Sequence, residues 1–249
     1  MITNSKAMCV GGSIVISLLV TSWPAAGQSL GTAEQFTILG GSAVTDTGAT
    51  ADSINGNVGV SPGISITGLT SNDVIGTIYN NVPPATTAHN DTITAFNQLA
   101  ATPATANLTG QNLGGLTLAP GVYTFASSAQ LTGTLKLNNV LNPNGIYIFQ
   151  IATTLTTATS SAVVLLGGSD PNVFWEVGSS ATIGSATIFD GNVLADQSIS
   201  LDPGASLSIG RVLAINGAVT MAGDNTINLM ALIGPGGPGG PGGPGFWSR

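Results

Sequence analysis

Short apolar runs recur along the middle of the chain, and each is followed by a segment in which apolar and small polar residues alternate. Residues 122–132 and 146–156 carry one such unit at an offset of 24 residues, and residues 173–182, 193–200 and 212–220 carry three further copies. Repeats of about 20 residues built from short strands and glycine corners are typical of a β-solenoid, in which each copy forms one coil. The pattern therefore predicts a mainly β fold of stacked coils.

The first strand of each unit is apolar at consecutive positions, as in residues 173–175, 193–195 and 212–215. A strand of this kind is buried on both faces. Before the repeats, the apolar period changes to that of a helix, in a stripe formed by Ala88, Thr92, Ala95, Phe96 and Leu99. We therefore expect one amphipathic helix at about 86–101 that lies alongside the solenoid and covers its doubly apolar face.

The next strand of each unit has one apolar residue between two small or hydroxylated ones. Strict alternation directs one side of a strand to the core and the other to water. Stacking then predicts two parallel outward files, one of Gln130, Thr154, Ser180, Ser198 and Ala218, the other of Thr132, Thr156, Thr182, Ser200 and Thr220. Residues Ala43 and Thr45 match the same pattern and are expected to extend the two files. Neighbouring coils would lie about 4.8 Å apart and the files roughly 6.7 Å apart.

The two ends of the chain differ from its middle. Lys6 precedes an apolar stretch that ends in small residues, which predicts a secretory signal peptide over 1–27 that contains Cys9, the single cysteine. Residues 234–249 begin with a Gly/Pro repeat too short for a collagen helix, and a flexible tail is the interpretation we favour. The solenoid domain is expected to occupy residues 28–233, with no membrane span in the mature protein.

The small number of charged residues argues against a nucleic-acid-binding or catalytic function. Only 6% of residues are charged, and 4 basic side chains face 11 acidic ones, so the clustered cations of a nucleic-acid interface are absent. A solenoid can be a polysaccharide lyase or hydrolase, but those enzymes need clustered carboxylates, and the aspartates here stand singly at turn positions. The one histidine, His89, lies on the predicted helix. We expect no catalytic residues, no cofactor and no metal site. The aspartates are interpreted as residues that form turns rather than as ligands of calcium.

Several longer segments carry a family resemblance, at residues 36–39, 56–62, 113–123, 172–178 and 210–214. On these segments the chain resembles the secreted microbial ice-binding proteins, and the resemblance runs from about Glu34 to Leu229. The resemblance implies an irregular, triangular, right-handed β-helix with one long helix beside it, discontinuous in sequence and closed late by the N-terminal strands. It further implies adsorption to ice through one flat face, which corresponds to the two outward files.

The residue types of the files agree with that expectation. A hydroxyl on a rigid strand can hold water, and a neighbouring methyl restricts it, whereas a charge would orient its own hydration shell. The files contain no ionisable side chain. An ice crystal surface is therefore the expected partner of a secreted monomer. The alternative is an extracellular adhesin or matrix module that binds carbohydrate or cell surfaces, which usually requires exposed aromatic rings.

Overall fold

A computed structural model describes residues 28–167 and 172–229 of the chain. Its strands are short, because glycine, proline and asparagine corners interrupt the chain every few residues. They are β1 Phe36–Gly40, β2 Ala43–Asp46, β3 Ser53–Asn55, β4 Asn57–Val60, β5 Ser65–Thr67, β6 Val74–Ile75, β7 Ile78–Asn80, β8 Ala106–Asn107, β9 Thr117–Leu118, β10 Gly121–Phe125, β11 Ala129–Leu131, β12 Thr134–Asn138, β13 Ile146–Ile151, β14 Leu155–Thr157, β15 Ala162–Leu166, β16 Asn172–Val177, β17 Ala181–Ile183, β18 Ile188–Ala195, β19 Ile199–Leu201, β20 Ser206–Ala214, β21 Val219–Met221 and β22 Thr226–Asn228. One helix, α1, occupies Ala85–Ala100, and a 3₁₀ helix occupies Gly31–Gln35.

Each coil contributes parallel strands to three faces around one core. The first face has the order β8-β10-β13-β16-β18-β20-β1-β4-β7. The second has the order β9-β12-β15-β18-β20-β22-β3-β6, because the long strands β18 and β20 belong to both faces. The third face is a separate seven-stranded sheet in the order β11-β14-β17-β19-β21-β2-β5. The predicted fold, a discontinuous right-handed β-helix of roughly triangular section with one helix alongside, is confirmed.

The stack is discontinuous because the N-terminal strands join it at the C-terminal end. Strand β1 pairs with β20, β2 with β21 and β3 with β22, so the first coil of the sequence is placed on the last. A second N-terminal coil, made of β4, β5 and β6, follows it. Helix α1 then connects β7 at this end to β8 at the opposite end, running along the first face.

Long strands turn between the first and second faces with the help of glycine. Strands β18 and β20 each contribute to both faces and carry Gly191 and Gly210 as paired neighbours. Gly191 has φ +110°, and a Cβ at Gly210 would collide with the carbonyl oxygen of Gly191. Only residues without a Cβ allow the two backbones to turn together at this spacing.

The core carries a row of stacked aromatic rings, in which Tyr123, Phe149 and Trp175 come from successive coils and Phe189 packs against the end of the row. The ring centroids are 5.5 Å apart from Tyr123 to Phe149, 4.0 Å from Phe149 to Trp175 and 4.9 Å from Trp175 to Phe189. The Trp175 indole N–H donates to the Asp190 carbonyl oxygen at 3.1 Å, which satisfies the only polar atom of that ring. Parallel pairing places Tyr123, Phe149 and Trp175 in register, so their rings stack, whereas Phe189 reaches the Trp175 ring from the part of β18 that belongs to the second face.

Helix α1 covers the first face as predicted. Its residues Ala88, Ala95 and Leu99 belong to a second apolar cluster, together with Phe174 and Leu194 from the sheet. The neighbours of those sheet residues along the strands, among them Trp175, point into the main core. The strands of the first face are therefore buried on both sides, which explains their continuous apolar runs.

The predicted helix at 86–101 differs from the observed one by a residue at each end. Of its predicted stripe, Ala88, Thr92, Ala95 and Leu99 are buried, whereas Phe96 is half-buried at the margin of the interface. The C-terminal carbonyls of the helix lack partners within the helix. Gln150 of β13 supplies a partner, because its Nε2 donates to the Leu99 carbonyl oxygen at 2.7 Å and to that of Thr102, just beyond the helix, at 2.6 Å.

The predicted signal peptide at 1–27 and the Gly/Pro tail at 234–249 lie outside the described residues. Within the described ranges, the chain has no helix with the length and hydropathy needed to cross a membrane.

The carboxyl groups of Glu176 and Asp52 are buried and that of Asp190 is half-buried, and no basic side chain of the described residues lowers the pKa of any of them. Burial raises the pKa of Glu176 to about 7 and the pKa values of Asp52 and Asp190 to about 6. At Asp52, hydrogen bonding from the Asn225 amide acts in the opposite direction, and three neighbouring aspartates add to the increase. These groups hold their protons more tightly in the folded chain than in the unfolded one.

We expect the protein to become less stable as the pH rises from about 4 to 7, because carboxyls with ordinary unfolded-state pKa values near 4 lose protons more readily when the chain unfolds. The melting temperature at pH 5 should therefore exceed that at pH 8. The substitution Glu176→Gln, which keeps a neutral group of the same shape, should reduce this difference. A melting temperature that increased between pH 5 and 8 would contradict the assignment.

The packing of α1 makes a second prediction. Leu99→Ala removes a fully buried side chain from the interface between helix and sheet and should lower the free energy of unfolding by about 2–5 kcal/mol. Phe96→Ala serves as the matched control and should cost less, because Phe96 is only half-buried. Denaturant titration of both variants at low temperature measures the two costs. A larger loss at Phe96 would show that the helix is rotated from the observed orientation.

Candidate functional site

The seven-stranded sheet builds its outer surface by strict alternation. In β17, for example, Ala181 and Ile183 are buried while Thr182 between them faces outward, and β14, β19 and β21 repeat the pattern. The core fixes which side faces in, since a one-residue slip would expose every apolar residue of a strand. Small and hydroxylated side chains consequently cover the outside of the sheet.

The observed register aligns these outward residues into a continuous file. Strand pairing places side by side the residues Gln130, Thr156, Thr182, Ser200, Thr220, Thr45 and Thr67. We call this set the Thr file. It crosses all seven strands, and hydroxyl groups occupy six consecutive positions of it, from Thr156 to Thr67.

A second file lies two residues earlier on each strand. It consists of the outward residues Thr154, Ser180, Ser198, Ala218, Ala43 and Ser65. We call this set the Ser/Ala file. Its members are half-buried except for Ser65 on the edge strand, which is exposed. As predicted from the sequence, neither file contains an ionisable side chain.

Two of the predicted positions need correction. The offset between the coils of β10 and β13 is 26 residues rather than 24, since Val122 pairs with Ile148 and Gln130 with Thr156. Gln130 therefore belongs to the Thr file and not to the file of Thr154. Thr132 lies beyond both files, at a corner where its amide N–H donates to Oδ1 of Asn112 at 2.9 Å. A two-residue slip preserves the inward and outward sides of a strand, which is why alternation alone could not detect it.

The remaining predicted site residues lie on this surface: Ala43, Thr45, Thr154, Thr156, Ser180, Thr182, Ser198, Ser200, Ala218 and Thr220. Sequence reasoning missed Ser65 and Thr67 of the edge strand β5. Their segment, Ser65-Ile66-Thr67, has the same hydroxyl, apolar and hydroxyl order as the other copies, and this was the available signal. Thr67 donates through Oγ1 to Oγ1 of Thr45 at 3.4 Å, which links the two N-terminal strands of the surface.

Other kinds of site find little support among residues 28–167 and 172–229. No group of three histidine, cysteine or acidic side chains there is arranged to hold a metal ion. The aromatic rings of these residues are buried or half-buried, and none is exposed in the way that sugar-binding platforms require. His89 is half-buried on α1, where desolvation lowers its pKa and its Nδ1 has no hydrogen-bond partner.

Comparison with known proteins gives consistent results. A family model described as ice-binding-like matches residues 38–228. A protein from Nostoc sp. (strain HG1), named ice-binding protein, is 48% identical over 219 residues, which cover 88% of this chain and 81% of that protein.

Solved structures agree in fold as well as in sequence. The crystal structure of an ice-binding protein from the Antarctic ascomycete Antarctomyces psychrotrophicus has a TM-score of 0.76 and 38% identity, and covers 82% of this chain and 99% of that chain. An ice-binding protein from Arctic yeast, whose structure was described as the basis of its antifreeze activity, has a TM-score of 0.74 and 30% identity. The match covers 84% of this chain and 96% of that chain.

Proposed function

The chain belongs to the ice-binding-like family, and we propose that it binds ice crystals through the outer surface of the seven-stranded sheet, on which the Thr file and the Ser/Ala file lie side by side. The observation that carries this assignment is the alignment of outward hydroxyls across six of the seven strands without an ionisable group among them. Bound water would then follow the protein's spacing of about 4.8 Å between coils, and such a layer can merge with a crystal plane.

Rigidity supports the proposal. Backbone hydrogen bonds join each of the five inner strands to neighbours on both sides, and the inward residues of each strand pack in the core. Threonine adds a branched carbon that restricts its own χ1 rotation. The hydroxyls are therefore fixed before any crystal is met, and adsorption loses little conformational entropy.

Many weak contacts made at once explain how such a surface could stop crystal growth. Each hydroxyl or methyl contributes little, but a rigid array engages the crystal at many points, so that detachment would require all of them to break together. Adsorbed molecules would then inhibit both the growth and the recrystallisation of ice. No enzymatic activity is part of this proposal.

Secretion and a monomeric state belong to the same proposal. The signal-like pattern of residues 1–27 supports export. The adhesin alternative receives no support from the described surface, because its aromatic rings are buried or half-buried.

Substitution of Thr182 by tyrosine tests the surface. The bulky ring should project above the Thr file and abolish most thermal hysteresis, while circular dichroism and melting temperature stay close to those of the native protein. Ser208→Tyr is the matched control, because Ser208 is exposed on β20, on a different face of the solenoid. Full hysteresis in the Thr182 variant, or an equal loss in the Ser208 variant, would contradict the proposed face.

Activity should also be independent of metal ions and of the C-terminal residues. A chelator should leave thermal hysteresis unchanged, and so should truncation of the chain before Gly234. The first expectation follows from the uncharged character of the two files, and the second from their strands, all of which end before Gly234. Loss of activity with chelator alone would indicate a structural cation, and loss after truncation alone would assign a function to residues 234–249.

A further inference from the structure

The two files differ in what their hydroxyl groups already do within the protein. In the Ser/Ala file, Oγ of Ser180 accepts a hydrogen bond from the backbone N–H of Ser198 at 3.3 Å. One coil further on, Oγ of Ser198 accepts from the backbone N–H of Ala218, again at 3.3 Å. Each serine thus spans to the next strand and ties its hydroxyl to that strand's backbone.

These bonds complete the backbone pairing where each strand begins. The preceding amides, of Gln197 and Gly217, donate to the carbonyl oxygens of Ser179 and Gln197 at 2.8 and 3.1 Å. The next amides, of Ser198 and Ala218, then each face a serine hydroxyl in place of a carbonyl oxygen. A half-buried N–H without a partner would destabilise the corner, so the serine hydroxyls have a structural role.

The Thr file presents its hydroxyls differently. Within the described part of the chain, the hydroxyls of Thr156, Thr182, Ser200 and Thr220 make no hydrogen bond to another protein group. Their donors and acceptors are consequently all available to water, at one position per coil. Hydroxyl groups continue in this file through Thr45 and Thr67, without the interruption that Ala218 and Ala43 produce in the neighbouring file.

From this contrast we infer that the Thr file alone determines adsorption to ice, and that Ser180 and Ser198 of the Ser/Ala file position the strands that carry it. The inference rests on the proposed ice-binding function of this sheet. A serine hydroxyl bound to a backbone amide is turned along the stack and has one acceptor site occupied, so it can organise less water above the surface. The Ser/Ala file contributes flatness, which alanine provides equally well.

A pair of double alanine variants tests the division of roles. Thr182→Ala with Thr220→Ala should lower thermal hysteresis several-fold and leave the melting temperature nearly unchanged. Ser180→Ala with Ser198→Ala should retain most of the hysteresis, lower the melting temperature and accelerate hydrogen exchange at the amides of Ser198 and Ala218. The single variant Ser198→Ala, which should affect only the Ala218 amide, serves if the double serine variant does not fold.

The outcomes separate this inference from the proposed function. If the serine variants lost as much hysteresis as the threonine variants while remaining folded, the division of roles would be overturned. Full activity in the threonine double variant, with activity abolished by Thr182→Tyr, would also overturn it but leave the ice-binding face intact. Full activity in all of these variants would refute the face itself.

Discussion

The register of the parallel backbone ladder between coils is the constraint on which the rest of this protein depends. Each ladder bond holds a residue beside its counterpart in the next coil, so a side chain chosen once per coil becomes a row along the whole stack. Inside the solenoid the row is the aromatic stack of Tyr123, Phe149 and Trp175. Outside, on the seven-stranded sheet, it is the Thr file. One pattern of backbone pairing therefore produces both the stable core and the regular surface.

The return of the N-terminal strands enlarges that surface and joins distant parts of the chain. Strands β2 and β5 extend the five C-terminal strands of the sheet to seven, through the pairing of Val44 with Val219 and of Ala43 with Ser65. Helix α1 then runs along another face, so its bulk does not interrupt the two files. Pairing between residues so far apart in sequence closes long loops, and we expect it to make folding slow.

The fold was largely predictable from the sequence because each face leaves a distinct mark. Continuous apolar runs marked the strands beneath α1, alternation marked the seven-stranded sheet, and a 3.6-residue period marked the helix itself. The discontinuity and its closure by the N-terminal strands came from the family resemblance. Periodicity describes one segment at a time and does not specify which coil lies next to which.

The errors in the site have physical causes. Alternation has a period of two, so it could not distinguish an offset of 24 from the observed 26, and it assigned Gln130 and Thr132 to positions two residues away from their true ones. The half-buried state of Phe96 shows the same limit on the helix, where a residue at the margin of the stripe has the same spacing as one at its centre. The bonds of Ser180 and Ser198 to backbone amides depend on corner geometry, and residue types alone do not reveal them.

Site-directed labelling would test most directly whether the seven-stranded sheet meets the ice. Thr156 and Val164 belong to the same coil but face outward on different sides of the solenoid, in β14 and β15. Each would be replaced by cysteine in a chain that begins at residue 28 and so lacks Cys9, coupled to a bulky maleimide, and partitioned into a slowly growing ice crystal. We expect the label at position 156 to exclude the protein from ice and the label at 164 to leave incorporation unchanged. Incorporation of the protein labelled at 156, with exclusion of that labelled at 164, would contradict the central claim.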